Sequence, residues 1–327
     1  MSAAVAVEFE HFIGINTIAN GVAFHPNGTN YLFAAGGNIV VGDLTDPHSQ
    51  EFMRMHDDNV TCLTLSRSGS LVASGQRGES ANVYVWNFST RKVIYTFEEH
   101  DSMIQGMVFS EDEKILITIG DSDDHKIIIW DLSTGNVISS SNKLPAETNC
   151  VAFGGFVRDI KRRDTDHYQI CTAGRDGLML WDLNPFSGEF ESFKLVGDAR
   201  ATINRHVTAV AFSEDKEYIY AATTSGDFVI ASMRYQRIIQ AVQATKMGLG
   251  ALLALNSRIV IGCGDSTVKF FDSTYEFQGQ VRLDGPVIGL SLSPDHLEVC
   301  NYMRVCFFLR SGVFFNYRFL KKQVFYL

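Results

Sequence analysis

The sequence predicts an all-β fold in which seven four-stranded sheets close into a ring, a β-propeller. Three observations predict it. A unit recurs about every 40 residues, each unit holds four short strands separated by turn residues, and all three tryptophans fall at one position of that unit. Repeats of this size are typical of solenoids and propellers. Four short strands per repeat are typical of a propeller blade.

The strands of a unit follow a fixed order. The opening strand is apolar and runs into a polar turn, at residues 22–26, 63–69, 107–112, 151–153, 210–215 and 290–295. A strand of small residues follows, as in residues 71–75 and 170–174. After a polar turn, a further strand ends in Trp86-Asn87, Trp130-Asp131, Trp181-Asp182 and, more weakly, Phe271-Asp272.

The units fill the chain, which we therefore expect to form a single propeller domain over residues 1–327. The expected blades are residues 16–60, 60–103, 104–148, 149–205, 206–246, 247–285 and 286–327. The last unit keeps its opening strand but has no Trp-Asp pair. Upstream of the first blade, residues 5–13 alternate apolar and polar residues as an extra strand would. Pairing of that strand with the last blade would close the ring and cover exposed strand edges.

Removing residues 1–15 is therefore expected to lower the Tm sharply, because the last blade would lose the strand that closes the ring. Thermal unfolding followed by circular dichroism measures the change. An unchanged Tm would reject closure by this strand.

Composition limits the function classes. The chain has 28 basic and 37 acidic residues and a formal charge of −9, which argues against a general nucleic-acid-binding protein. No apolar run is long enough for a secretory signal or a membrane span, so we expect a soluble, intracellular, monomeric domain without a membrane partner. The six cysteines are scattered without metal-ligand spacing, which predicts neither a metal site nor a cofactor.

The recurring strand pattern with its Trp-Asp ends resembles the WD40 repeat family over nearly the whole chain. Within that family, residues 13–16, 58–76, 76–81 and 223–227 are similar to the N-terminal propeller of ciliary and flagellar WD-repeat proteins from the inner junction of doublet microtubules. Those proteins have two tandem propellers, and this sequence would supply the first. The resemblance implies a scaffold in the axoneme of the cilium or flagellum, a cytoskeletal structure, with tubulin and inner-junction proteins as partners.

A polar set recurs with the repeats. It comprises His100, Thr118, Asp124 and Trp130, with partial copies in Thr172, Asp176 and Trp181 and in His206, Thr223 and Asp227. A His, an Asp and a hydroxyl suggest a catalytic triad. The resemblance implies instead a buried structural relay, in which the His bridges the Asp and the hydroxyl and the hydroxyl accepts the indole N–H. Recurrence from blade to blade favours the structural interpretation. Whether Asp124 or Asp121 completes the relay stays open, because the turn before Trp130 is two residues longer than a tight one.

A basic insertion lengthens the fourth unit as a loop over residues 158–167. Its Arg158, Lys161, Arg162 and Arg163 form the densest basic cluster of an acidic protein and are candidates for docking an acidic partner. The alternative, which we favour, is a solvated loop whose own aspartates neutralise the charge.

The sequence lacks the motifs of common enzymes. It has no GxSxG, no HExxH and no phosphate-binding glycine loop, so we expect a protein that is not an enzyme. The leading interpretation is the structural ciliary scaffold. The alternative is an adaptor that presents peptide substrates in a signalling or ubiquitin-ligase complex. Convergent carboxylates or a metal in the central channel would instead indicate a hydrolase.

Overall fold

The computed structural model describes residues 14–19, 21–46, 48–145, 147–159, 161–197, 206–255 and 258–292 with their side chains. Between residues 299 and 326 it describes four further strands by their backbone alone. All regular elements in these segments are β-strands, which confirms the all-β prediction. The described residues contain no helix long and apolar enough to cross a bilayer.

The strands of the first three sheets are β1 (Val22–Phe24), β2 (Asn30–Ala35), β3 (Asn38–Asp43), β4 (Gln50–Arg54), β5 (Val60–Leu65), β6 (Leu71–Gln76), β7 (Val83–Asn87), β8 (Lys92–Phe97), β9 (Ile104–Phe109), β10 (Ile115–Gly120), β11 (Ile127–Asp131) and β12 (Val137–Ser141). The next three sheets contain β13 (Thr148–Arg158), β14 (Asp164–Gly174), β15 (Gly177–Leu183), β16 (Phe190–Lys194), β17 (Val196–Gly197), β18 (Val207–Phe212), β19 (Tyr218–Thr223), β20 (Asp227–Ser232), β21 (Arg237–Gln243), β22 (Leu249–Ala254), β23 (Arg258–Cys263), β24 (Thr267–Asp272) and β25 (Phe277–Arg282).

Each of these six sheets is an antiparallel meander of four consecutive strands, so that neighbours in sequence are neighbours in space. The short strand β17 adds a parallel fifth strand beside β21 in the fifth sheet. All three tryptophans lie on the third strand of their sheets, β7, β11 and β15. We refer to the six sheets as blades 1 to 6 in chain order.

A further sheet contains β26 (Leu290–Leu292), β27 (Val299–Tyr302), β28 (Cys306–Arg310), β29 (Val313–Arg318) and β30 (Lys321–Tyr326). Only β26 has described side chains, and it lies beside β1 and β22. Six blades are thus described with their side chains. The structure therefore does not confirm the count of seven blades, which stays a prediction. The predicted closing strand, residues 5–13, lies outside the described residues.

The apolar core lies between neighbouring blades. One buried cluster joins Val83 and Phe97 of blade 2 to Leu116 and Trp130 of blade 3, with the Phe97 and Trp130 rings stacked at 4.0 Å between centroids. Comparable clusters join blades 1 and 2, 3 and 4, 4 and 5, and 5 and 6. Blades 2 to 5 therefore bury both faces against their neighbours, which is why their central strands are almost continuously apolar.

The basic insertion is the end of a hairpin extension. The prediction of a loop over residues 158–167 was wrong at Arg158 and at residues 164–167, which are paired strand, whereas residues 159 and 161–163 form the turn between the strands. Strands β13 and β14 are each 11 residues long and remain paired out to Arg158 and Asp164. The Phe156 and Tyr168 rings stack across this pair, with centroids 5.2 Å apart. The Tyr168 hydroxyl donates to Asp112 of blade 3 at 2.7 Å. These contacts hold the added residues in strand pairing.

Candidate functional site

A closed hydrogen-bond relay lies in blade 3. The His100 Nδ1 is 2.5 Å from Asp124 Oδ2, and its Nε2 is 2.7 Å from Thr118 Oγ1. The Trp130 indole donates to the same hydroxyl at 3.0 Å. All four side chains are buried. The relay connects β10 and β11 with the loop before β9, which holds His100, and the loop before β11, which holds Asp124.

Two of the hydrogen bonds in this relay have a fixed direction. An indole N–H only donates and an ionised carboxylate only accepts, so Thr118 accepts from Trp130 and Asp124 accepts from His100 Nδ1. The Thr118 hydroxyl also contacts His100 Nε2 and lies 3.5 Å from the Ile128 carbonyl oxygen. The other Asp124 oxygen accepts the Asp101 backbone N–H at 2.9 Å. Burial raises the pKa of Asp124, but the bonds from His100 and Asp101 and the charge of Lys126 outweigh it, and the pKa is lowered.

The structure places Asp124, and not Asp121, against the histidine. Asp121 instead accepts the backbone N–H groups of Asp123 and Asp124, at 3.1 and 3.2 Å, and so shapes the longer turn. Thr118 is fully buried, and its hydroxyl contacts His100, Trp130 and the Ile128 carbonyl oxygen. Its hydrogen-bonding capacity is thus used within the blade.

Blade 2 contains a second relay that the sequence analysis missed. The His56 Nε2 is 2.7 Å from Ser74 Oγ, and its Nδ1 is 2.9 Å from Gln76 Oε1. The Trp86 indole donates to Ser74 at 2.9 Å, and the Gln76 amide donates to Asp57 at 2.5 Å. A serine and a glutamine here take the places of the threonine and the aspartate. The spacing of the histidine could have revealed this relay. His56 lies four residues before β5, just as His100 lies four residues before β9.

The relay of blade 2 holds its histidine neutral. Burial lowers the pKa of His56 from its usual 6.5 to about 4, against smaller opposing effects of Gln76 and Asp57. In the unfolded chain the same imidazole takes up a proton below its usual pKa. The unfolded state therefore binds more protons than the folded state between these two values, and folding stability falls as the pH is lowered from 6.5 towards 4.

A His56→Gln variant is expected to be less stable than the parent at neutral pH but to lose less stability on acidification. Urea unfolding at a series of pH values measures both effects. His48→Gln makes the same exchange at an exposed histidine and is the control. The same dependence in His56→Gln and the parent would show that His56 is protonated equally in both states.

Blade 4 holds only part of the predicted relay. Trp181 donates to Thr172 at 2.8 Å. Asp176 does not join them, contrary to prediction, because it is exposed in the tight turn between Gly174 and Gly177. Leu144 is buried and lies four residues before β13. In blades 2 and 3 the histidine occupies this position relative to the first strand. A leucine cannot bridge a carboxylate and a hydroxyl.

Blade 5 departs from the prediction at its histidine. The Thr223 hydroxyl contacts Asp227 directly, at both the carboxylate and the backbone carbonyl oxygen, where a bridging histidine was predicted, and Ser225 donates to Asp227 at 2.6 Å. The His206 ring lies against Asn149 and is 3.9 Å from Glu147, both on the side of blade 4. It is not part of the relay. His206 directly precedes Val207 at the start of β18, three residues too late in the repeat.

Three of the four basic side chains of the hairpin extension face carboxylates. Arg158 contacts Asp164 at 3.2 Å and Glu217 of blade 5 at 2.7 Å. Arg162 contacts the same Glu217 at 3.4 Å. Arg163 pairs with Asp159 at 2.8 Å, whereas Lys161 is exposed and forms no ion pair within the described part of the chain. Most of the positive charge is thus neutralised within the fold.

Comparisons with known proteins agree with the repeat pattern. The family model "WD domain, G-beta repeat" matches residues 48–87 and 91–131, and these two segments include the tryptophans of both complete relays. The chain therefore carries WD40 repeats in an all-β propeller.

Relatives extend over most of the chain. It is 29% identical over 285 residues to cilia- and flagella-associated protein 52 of Chlamydomonas reinhardtii, which covers 84% of this chain and 44% of that protein. The human protein of the same name is 25% identical over 88% of this chain and 46% of its own length. Human WD repeat-containing protein 90 is 23% identical over 76% of this chain and 14% of its own length. The chain thus spans about half the length of the first two relatives.

Proposed function

We propose that this chain is a non-enzymatic structural scaffold of cilia and flagella that binds tubulin and inner-junction proteins on the doublet microtubules of the axoneme. The observation that carries the proposal is its similarity, over more than four fifths of its length, to proteins named for their association with cilia and flagella. Because the match covers only about half of those proteins, their partners come to this chain only as part of the proposal.

The site geometry supports a scaffold more than an enzyme. The polar sets of blades 2 and 3 are buried and saturated with hydrogen bonds, so they hold strands together and contact no substrate. We extend this structural role to the remaining pairs, Trp181 with Thr172 and Thr223 with Asp227. We also infer seven blades, with β26–β30 as the seventh, because β26 lies between blade 6 and blade 1. A closed ring of this kind presents its loops on a rigid frame, as protein-binding propellers do.

Retention on axonemes tests the proposal. The tagged chain is expressed in a flagellated cell, the flagella are isolated, and their membranes are removed with detergent. We expect the chain to remain with the doublets and to cross-link to tubulin, whereas a tagged soluble protein of similar mass is released. Recovery of the chain in the detergent-soluble fraction would contradict the scaffold.

Charge reversal in the same assay tests the basic cluster. Lys161→Glu reverses the charge of a lysine that pairs with no carboxylate among the described residues, and Lys143→Glu makes the same change at an exposed site on another blade. Because Asp159, Asp164 and Glu217 neutralise the three arginines, we expect both variants to be retained like the parent. Selective loss of Lys161→Glu would instead assign the hairpin extension as a docking surface.

A further inference from the structure

A groove of about 480 Å³ opens between the outer strands of blades 1 and 2, β4 and β8. Three basic side chains line it, Arg54, Arg91 and Lys92. The rest of the lining is mainly apolar and includes Phe52, Met55 and Trp86. This volume is within the range of ligand-binding pockets.

Arg91 leaves one hydrogen-bond donor unused. Its Nε bonds to Glu51 Oε2 at 2.6 Å, and its guanidinium lies 4.0 Å from the centre of the Phe88 ring. Its NH1 is buried and has no hydrogen-bond partner, the one such side-chain nitrogen or oxygen among the described residues. A buried donor without a partner costs free energy, typically about 1–3 kcal/mol. An anion that accepted a hydrogen bond from this nitrogen would remove that cost.

The charge of the groove selects an anion. Glu51 pairs with Arg91 at 2.6 Å, whereas Lys92 forms no ion pair within the described residues. Lys92 therefore leaves positive charge at the groove on a protein whose formal charge is −9. Opposite charge of this kind steers and orients acidic partners. The net negative charge of the chain disfavours a nucleic acid as that partner.

The apolar lining selects a ligand larger than a simple anion. Met55 is exposed beside the groove, and Phe52 is half-buried under Arg54, whose guanidinium lies 4.8 Å from the ring centre. A free carboxylate would leave this apolar surface uncovered. A peptide can place a carboxylate on the basic side chains and an apolar side chain on Met55 and Phe52.

We propose that this groove binds an acidic peptide segment in which an apolar side chain lies next to carboxylates. Arg91 and Lys92 bind the carboxylates, and Met55 and Phe52 contact the apolar side chain. The inference depends on the groove alone and holds whether or not the chain resides in cilia.

The test uses a fluorescein-labelled hexapeptide with two glutamates on each side of a leucine–phenylalanine pair. Fluorescence anisotropy with the full chain should show saturable binding that weakens as salt is added, since exposed charges are screened. Lys92→Glu should weaken binding by about tenfold or more, because it places a carboxylate against a carboxylate. Lys194→Glu is the matched control on the outer strand of blade 4 and should bind like the parent.

Two altered peptides separate the contribution of charge to binding from that of apolar contact. A peptide with glutamine in place of glutamate, and one with alanine in place of leucine and phenylalanine, should each bind at least about tenfold more weakly. Matching circular dichroism melts confirm that Lys92→Glu is folded. Absent binding, equal effects of Lys92→Glu and Lys194→Glu, or undiminished binding of either altered peptide would overturn the proposal.

Discussion

Replacing His100 by alanine is expected to lower the free energy of unfolding by about 3–5 kcal/mol, the usual cost of removing one partner of a buried ionic hydrogen bond. The imidazole and the Asp124 carboxylate are 1% and 0% exposed. Without the imidazole, the carboxylate keeps its bond from Asp101 but loses its shortest one, and the Thr118 hydroxyl loses one of its hydrogen-bond partners. Urea unfolding followed by circular dichroism measures the loss.

His167→Ala is the matched control for this variant. His167 also contacts an aspartate, Asp182, at 2.7 Å, but the two side chains are 40% and 36% exposed. Water solvates both groups when such a pair is broken, so the expected loss is about 1 kcal/mol or less. Equal losses in the two variants would show that burial does not determine what the blade 3 relay contributes.

The relay of blade 3 was predicted from its residue types and from the resemblance to the WD40 family, and the structure shows the spacing that goes with it. His100 lies four residues before β9, and Thr118 lies twelve residues before Trp130. His56 lies at the same distance from β5, and Ser74 at the same distance from Trp86, so the relay of blade 2 could have been predicted from this spacing. The relay of blade 2 was missed because the prediction required a threonine and an aspartate. Ser74 and Gln76 form the same hydrogen bonds in their place.

The same spacing explains the two relay residues that were predicted wrongly. Thr172 lies only nine residues before Trp181, so the intervening turn is too short to bring Asp176 inward. His206 is adjacent to its strand, and from there its ring lies against Asn149. In both cases the residue type fitted the pattern, but the backbone position did not.

Two features depend on tertiary packing and were outside the reach of the sequence. The hairpin extension stays ordered as strands because Asp112 and Glu217, on the neighbouring blades, bond to Tyr168 and Arg158. The groove forms where β4 and β8 approach one another across a blade boundary. Both sets of contacts join residues that are far apart in the sequence, so no local sequence pattern predicts them.

Replacing Trp181 by alanine is expected to lower the free energy of unfolding by about 3–5 kcal/mol, the usual range for a large buried aromatic side chain. Trp181 is 1% exposed and belongs to the cluster that joins blade 4 to Ile115 and Ile117 of blade 3. Its ring stacks on Phe190 at 4.8 Å between centroids. The variant therefore opens a cavity at the boundary between two blades and also removes the donor to Thr172.

Trp181→Phe separates these two effects. Phenylalanine keeps an aromatic ring at the boundary but has no N–H, so we expect a smaller loss, about 1–3 kcal/mol. Phe186→Ala in the same blade removes a side chain that is 84% exposed and should change stability by no more than about 0.5 kcal/mol. Urea unfolding of the three variants ranks the contributions. If Trp181→Ala proved as mild as Phe186→Ala, the boundaries between blades could not be the main source of stability, because this tryptophan is among the largest side chains buried there.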